Sequence, residues 1–191
     1  MTENCQPALN LQMQLGECPL WHPHEGALYW VDIDGCAVHR LSPATATHTS
    51  WPMPTEPGCI ALHEDGGLLV ALRSGLARLD TESGKLSMLQ DAPYDQQTTR
   101  FNDGRCDVAG RLWVGGIYEP RDQAGAALYC VDHNTLTDSG KRATVSNGLA
   151  FSIDHRTMYH SDTSAHRIFA YDYDLASGTI TGERVFHAFN S

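Results

Sequence analysis

The chain has 191 residues, 41% hydrophobic and 8% aromatic, enough for one sizeable globular core. Asp plus Glu outnumber Lys plus Arg 23 to 13, a formal net charge of −10, and such acidity argues against nucleic acid, which is bound by basic faces. Apolar runs are too short for a transmembrane helix. The opening MTENCQPALN has no basic stretch leading into a hydrophobic one, so no secretory signal is read and a cytoplasmic location is expected, with no membrane partner.

Residues 9–13 (LNLQM) read as a lone strand. Hairpins are then predicted at about 20–41, 58–80, 104–132 and 148–175, each an apolar run, a turn of Gly, Asp or His, and a second run rich in Leu, Tyr, Trp and Val. SPATAT, DTESGK and DLASGT fit turns between outer strands, and the three prolines of WPMPTEPG place that segment between units. Nothing has sustained helical periodicity, and no composition shift marks a second domain. The unit recurs about every 40 to 45 residues, a period that in all-β sequence predicts the blades of a propeller.

The residues entering the four turns are His22, His63, Asp107 and Ser152, and five residues before each stand Glu17, Gly58, Asn102 and Asn147. Equivalent positions on successive blades surround one axis, so these side chains are expected to converge. Three carry oxygen and the fourth is the smallest residue there is. Asn102-Asp103-Gly104 and Asn147-Gly148 taken singly are ordinary turn sequences; their shared phase favours a site. Asp103 reads as structural, bonding nearby backbone. Asp32, Asp34, Asp162, Asp172 and Asp174 lack the spacing of a calcium loop and read as strand-end and turn residues. Trp21, Trp30 and Trp113 are expected to pack between blades. The six cysteines form no CxxC pair and read as reduced, and the ten histidines form no HExxH.

The stretches GECPLW, RFNDGRCDVAGRLWVG and VSNGLAFSIDHRTMYHSDT, followed by FAYDYDLASG, occur in the order and at the separations of the SMP-30/gluconolactonase/regucalcin family, which the chain resembles over nearly its whole length. The resemblance implies a six-bladed propeller that hydrolyses a sugar lactone of gluconolactone or pentonolactone type. It implies one divalent metal ion (Ca, Zn, Mg or Mn) in the central channel, held by Glu17 and Asn147. Arg100 and Asn102 would contact the lactone and its hydroxyls. A further substrate-contacting Glu of the family falls by gapless count on Pro120, and Glu119, one residue earlier, takes that role if the loop shifts. The family's remaining metal ligand, an Asp that also serves as general acid/base, begins a fifth blade, whereas this chain stops at Ser191. Six blades of about 45 residues need roughly 270. The reading is therefore a single domain over 1–191 with about four blades of an expected six, lacking the C-terminal third and inactive on its own. A closed four-bladed propeller is the alternative architecture.

These residue types suit the chemistry. A carboxylate and an amide oxygen satisfy a hard cation while leaving positions open for water and substrate. A bound cation polarises a lactone carbonyl and acidifies water, and an arginine orients hydroxyls or stabilises oxygen charge. The competing reading is a non-catalytic propeller that binds calcium or a protein partner, since propellers host many functions.

Overall fold

The protein's three-dimensional structure, a computed structural model, describes residues 6–190. Each recurring unit folds as one four-stranded antiparallel sheet with its strands in chain order. The first blade comprises β1 (Gly16–His22), β2 (Ala27–Asp32), β3 (Ala37–Ser42) and β4 (Thr47–Pro52), and the second β5 (Pro57–Leu62), β6 (Leu68–Leu72), β7 (Gly75–Leu79) and β8 (Leu86–Asp91). The third holds β9 (Thr99–Cys106), β10 (Leu112–Tyr118), β11 (Ala126–Asp132) and β12 (Thr135–Ala143). The fourth holds β13 (Ser146–Phe151), β14 (Thr157–Asp162), β15 (Arg167–Asp174) and β16 (Thr179–Ala188). The architecture is an all-β propeller with four blades, and the turns expected at SPATAT, DTESGK and DLASGT join the outer two strands of the first, second and fourth.

Three apolar layers hold the blades together, one at each seam. The period-2 alternation of a strand decides which layer each side chain enters. Along β6 every residue is buried because both faces are covered. Leu68, Val70 and Leu72 enter the layer shared with the first blade, and Leu69 and Ala71 the layer shared with the third. The inner strands β1, β5, β9 and β13 stand side by side in that order, and among the described residues the first blade does not pack extensively on the fourth. The four blades form an open arc, which is not the closed four-bladed ring.

The structure corrects one expectation. Residues 9–13 form no strand. A strand needs a free sheet edge to pair with, and this segment instead lies against the first blade through side chains and turns. Trp30 Nε1 donates to Met13 Sδ at 3.3 Å, and the N–H groups of Gln14 and Leu15 donate to the Asp32 carboxylate. Of Trp21, Trp30 and Trp113, Trp113 alone packs between two described blades. Trp30 alternates with Tyr29 and Val31 and so faces away from the second blade, stacked on His39. Trp21 is half exposed.

Asp32 and Asp162 are strand-end acids as expected, each collecting backbone N–H groups from its blade entrance. Five cysteines are free thiols; Cys5 lies outside the described residues. There is no helix among the described residues, so none long and apolar enough to cross a membrane.

Candidate active site

Glu17, Gly58, Asn102 and Asn147 all lie on the inner strands, each beside a break in the ladder to the second strand of its blade. The register shifts between Glu17 and Leu20, between Pro57 and Cys59, opposite Val114 to Gly116 on β10, and between Asn147 and Leu149. Such bulges bend a strand and re-aim the side chains beside them. After Asn147 the sequence supplies the backbone freedom with Gly148 at φ 65°, whereas after Glu17 a non-glycine residue, Cys18, takes the left-handed conformation at φ 50°. Gly58 has a different reason to be glycine. A Cβ there would overlap the Phe101 carbonyl and lie 2.7 Å from the Asn102 carbonyl oxygen, so the second blade's inner strand approaches the third's backbone to backbone.

Arg100 and Asn102 form the centre of the observed network. The Arg100 Nη1 donates to Asn102 Oδ1 at 2.8 Å and to the Phe101 carbonyl at 3.0 Å. Asn102 Nδ2 donates to the Ser146 carbonyl at 2.8 Å, crossing from the third blade to the fourth. Asp103 accepts the Gly104 N–H at 2.9 Å and, across the same seam, the Gly148 N–H at 2.8 Å. It therefore does bond backbone, and it pins the residue that follows Asn147. Beneath this, Ser146 Oγ lies 2.6 Å from His160 Nε2. Burial pushes the His160 imidazole down to about 4, so it is neutral at ordinary pH. A Ser–His contact suggests a nucleophile, but both residues are 1% exposed and no substrate reaches them.

Arg100 is buried, and that desolvation, with Arg73 adding to it and Glu119 opposing, lowers its pKa from the ordinary arginine value. Its Nε is 3.8 Å from Glu119 Oε1, too far for a hydrogen bond. Arg73, which nothing in the sequence motifs singled out, is better supplied. It donates to both Glu119 oxygens at 2.6 and 3.2 Å, to Glu56 Oε2 at 2.9 Å and to the Gln96 carbonyl at 2.9 Å. A signal for it was present in the repeat. The residue just past the second strand donates its N–H to the carbonyl of the residue just before the first strand in every blade: Ile33 to Leu15, Arg73 to Glu56, Glu119 to Thr98, Thr163 to Val145. Arg73 and Glu119 thus occupy one structural position in adjacent blades.

The family described as SMP-30/Gluconolactonase/LRE-like region matches residues 15–191. The chain belongs to this family. Among curated relatives of this SMP-30/gluconolactonase-like chain, a 6-deoxy-6-sulfogluconolactonase of Pseudomonas putida is 42% identical over 176 residues, covering 91% of the chain and 60% of the relative. A pentonolactonase of Haloferax volcanii is 34% identical over 179 residues, covering 91% of the chain and 58% of the relative. A crystal structure of a calcium-binding protein, regucalcin, from Agrobacterium tumefaciens superposes with TM-score 0.87 at 29% identity, covering 94% of the chain and 61% of that protein. The chain spans about 60% of the length of the relatives it matches.

Against this SMP-30/gluconolactonase-like background the two residues expected to bind metal can be tested for fit. Glu17 is exposed and Asn147 half-buried. Among the described residues neither side chain makes a hydrogen bond or ion pair, so both oxygen donors are unspent. That donor set suits a hard divalent cation. It is a partial set: no group of three or more His, Cys, Asp or Glu among the described residues is placed to hold a metal. Glu17 and Asn147 share a repeat position at the inner strands β1 and β13, and among the described residues no hydrogen bond or ion pair joins Glu17 to Asn147 or Asn102.

Proposed function

We propose that the protein to which this chain belongs is a metal-dependent sugar lactonase, acting on a gluconolactone- or pentonolactone-type ring, and that these residues form its substrate mouth. The observation that carries the reading is the unspent side of Arg100. Its Nε and Nη2 make no hydrogen bond among the described residues, while Nη1 is tied to Asn102 and Phe101. A buried guanidinium aimed by one nitrogen and open at two is built to receive oxygen atoms from a ligand. Family membership and the lactonase names of relatives support the substrate class.

Glu17 and Asn147 would hold the divalent ion. When bound, such an ion polarises the ring carbonyl and acidifies a coordinated water. Arg100 donates to the lactone's hydroxyls or to the oxygen that gains charge as the carbonyl becomes tetrahedral. Asn102 holds Arg100 through Oδ1 and the fourth blade through Nδ2, with one lone pair and one N–H left for a sugar hydroxyl. The free thiols agree with a reducing compartment, and the cytoplasm is the proposed location.

A pH-stat assay of the protein with aldonolactones and a panel of divalent metals tests this. Acid release should require metal, vanish with chelator and return on adding metal back. Arg100→Ala should lower kcat/KM about 100-fold or more while metal affinity by calorimetry stays within about threefold. Full activity in excess chelator would overturn the metal mechanism. Loss of metal binding in Arg100→Ala would overturn the division of roles.

A further inference from the structure

At the repeat position just past the second strand, the first and fourth blades carry Ile33 and Thr163, while the second and third carry Arg73 and Glu119. Equivalent positions in adjacent blades are neighbours, so opposite charges placed there meet. Arg73 takes both oxygens of Glu119 in a forked pair, at 2.6 and 3.2 Å, and Glu56 at 2.9 Å. Glu119 first and Glu56 next raise the Arg73 pKa above its ordinary value. Arg100 stands by the same carboxylate at 3.8 Å. Two guanidiniums contend for Glu119, and Arg73 holds it.

We propose that Arg73 is a positioning residue that withholds Glu119 from Arg100 and so keeps Arg100 open to the oxygens of a lactone. The choice of substrate rests on the lactonase reading; the exchange of partners does not. Among the described residues Arg73 and Arg100 are the two cations within ion-pair distance of Glu119. When Arg73 is gone, Glu119 turns to Arg100, whose Nε and Nη2 make no hydrogen bond, and the loose 3.8 Å pair tightens into an internal salt bridge that closes the mouth. The pair would be charge-assisted on both sides, with the Arg100 side chain 10% and the Glu119 side chain 38% exposed. Glu119 is therefore a competitor for Arg100 that Arg73 keeps occupied, rather than a contact for the sugar.

The test compares wild type, Arg73→Gln, Arg73→Lys and Arg73→Gln/Glu119→Gln, by nitrogen-15 NMR of the arginine side chains and by lactonase kinetics. In Arg73→Gln the Arg100 guanidinium should shift and its Nε–Cζ rotation should slow; adding Glu119→Gln should reverse both. With lactone, Arg73→Gln should raise KM about tenfold with kcat within about twofold, and the double variant should return KM to within about threefold of wild type. Arg73→Lys keeps the charge without the fork and should fall between, which keeps the comparison open if Arg73→Gln folds poorly. An Arg100 signal unchanged in both single variants overturns the proposal. So does a double variant as impaired as Arg73→Gln, the result expected if Arg73 only clasps two blades. A wild-type protein that hydrolyses no lactone with any metal would sink the lactonase reading, and the NMR comparison alone would then decide the partner exchange.

Discussion

The seam between the second and third blades and the seam between the third and fourth are built from one repeat and held by different chemistry. The former has an apolar layer in which Cys59, Ala71, Leu76, Phe101 and Leu112 interlock and Gly58 lets two backbones touch, and the forked Arg73–Glu119 pair crosses it at the blade entrances. The latter is pinned by polar groups at successive depths. Asp103 accepts from Gly148, Asn102 donates to Ser146, and near the far end Asp107 accepts from Arg111 at 2.8 Å and from Tyr173. Apolar contact sets a separation and tolerates sliding, whereas hydrogen bonds also set direction. Arg100, Asn102 and Asn147, whose aim matters for binding, flank the directional seam.

Breaking the buried ion pair should have the largest effect. Burial alone would raise the Asp107 carboxyl, but hydrogen bonds from Tyr173 and Arg111 outweigh it and hold it below the usual carboxylate range. Asp107→Ala leaves Arg111 buried beside Tyr173 without its counter-ion and should cost about 4 kcal/mol in chemical denaturation. A loss below about 1 kcal/mol would show that the polar seam is not the stronger one.

Acid should loosen the same seam in two steps. His160 titrates near 4 when folded and near its ordinary 6.5 when unfolded, so the unfolded chain binds the extra proton between those values. Stability is full above about pH 6.5 and falls by about 3 kcal/mol on the way to pH 4. The Asp107 contribution, present above the unfolded carboxylate range, is lost below that as pH drops through its lowered folded value. Denaturation midpoints against pH measure both, and His160→Gln should flatten the upper step.

Gly58→Ala addresses the apolar seam. Its methyl meets the Phe101 and Asn102 carbonyls, backbone that cannot rotate aside, and should cost about 2 kcal/mol. Asp103→Asn is the mildest change. It keeps one acceptor oxygen, should cost about 1 kcal/mol, and should weaken metal binding severalfold by calorimetry because Gly148 adjoins Asn147. If Gly58→Ala disturbed metal affinity more than Asp103→Asn, the directional seam would not be what aims Asn147.

The hairpins at 20–41 through 148–175 were legible because strands and tight turns are written locally, in alternation and in Gly, Asp and His. The shared phase of Glu17, Asn102 and Asn147 was legible because a repeat turns a count into a position. Residues 9–13 misled for a physical reason: LNLQM has strand composition, but a strand exists only with an edge to pair with. Arg73 and Glu119 stand 46 residues apart in two turns, and their meeting depends on how adjacent blades stagger. At Gly58 the sequence shows only smallness; its cause, the Phe101 carbonyl, belongs to another strand.

The backbone bond that ties each blade entrance has a kinetic meaning. Ile33 to Leu15, Arg73 to Glu56, Glu119 to Thr98 and Thr163 to Val145 each close a loop of about 20 residues, a short closure with a small entropy cost. Two strands and their clasp can therefore assemble within each blade before any seam forms, and low sequence separation favours speed. Seam residues then join late, at positions of low φ-value, so Gly58→Ala and Asp103→Asn should accelerate unfolding while leaving the refolding rate nearly unchanged. In a chevron the two variants would share the wild-type folding limb and part from it only on the unfolding side.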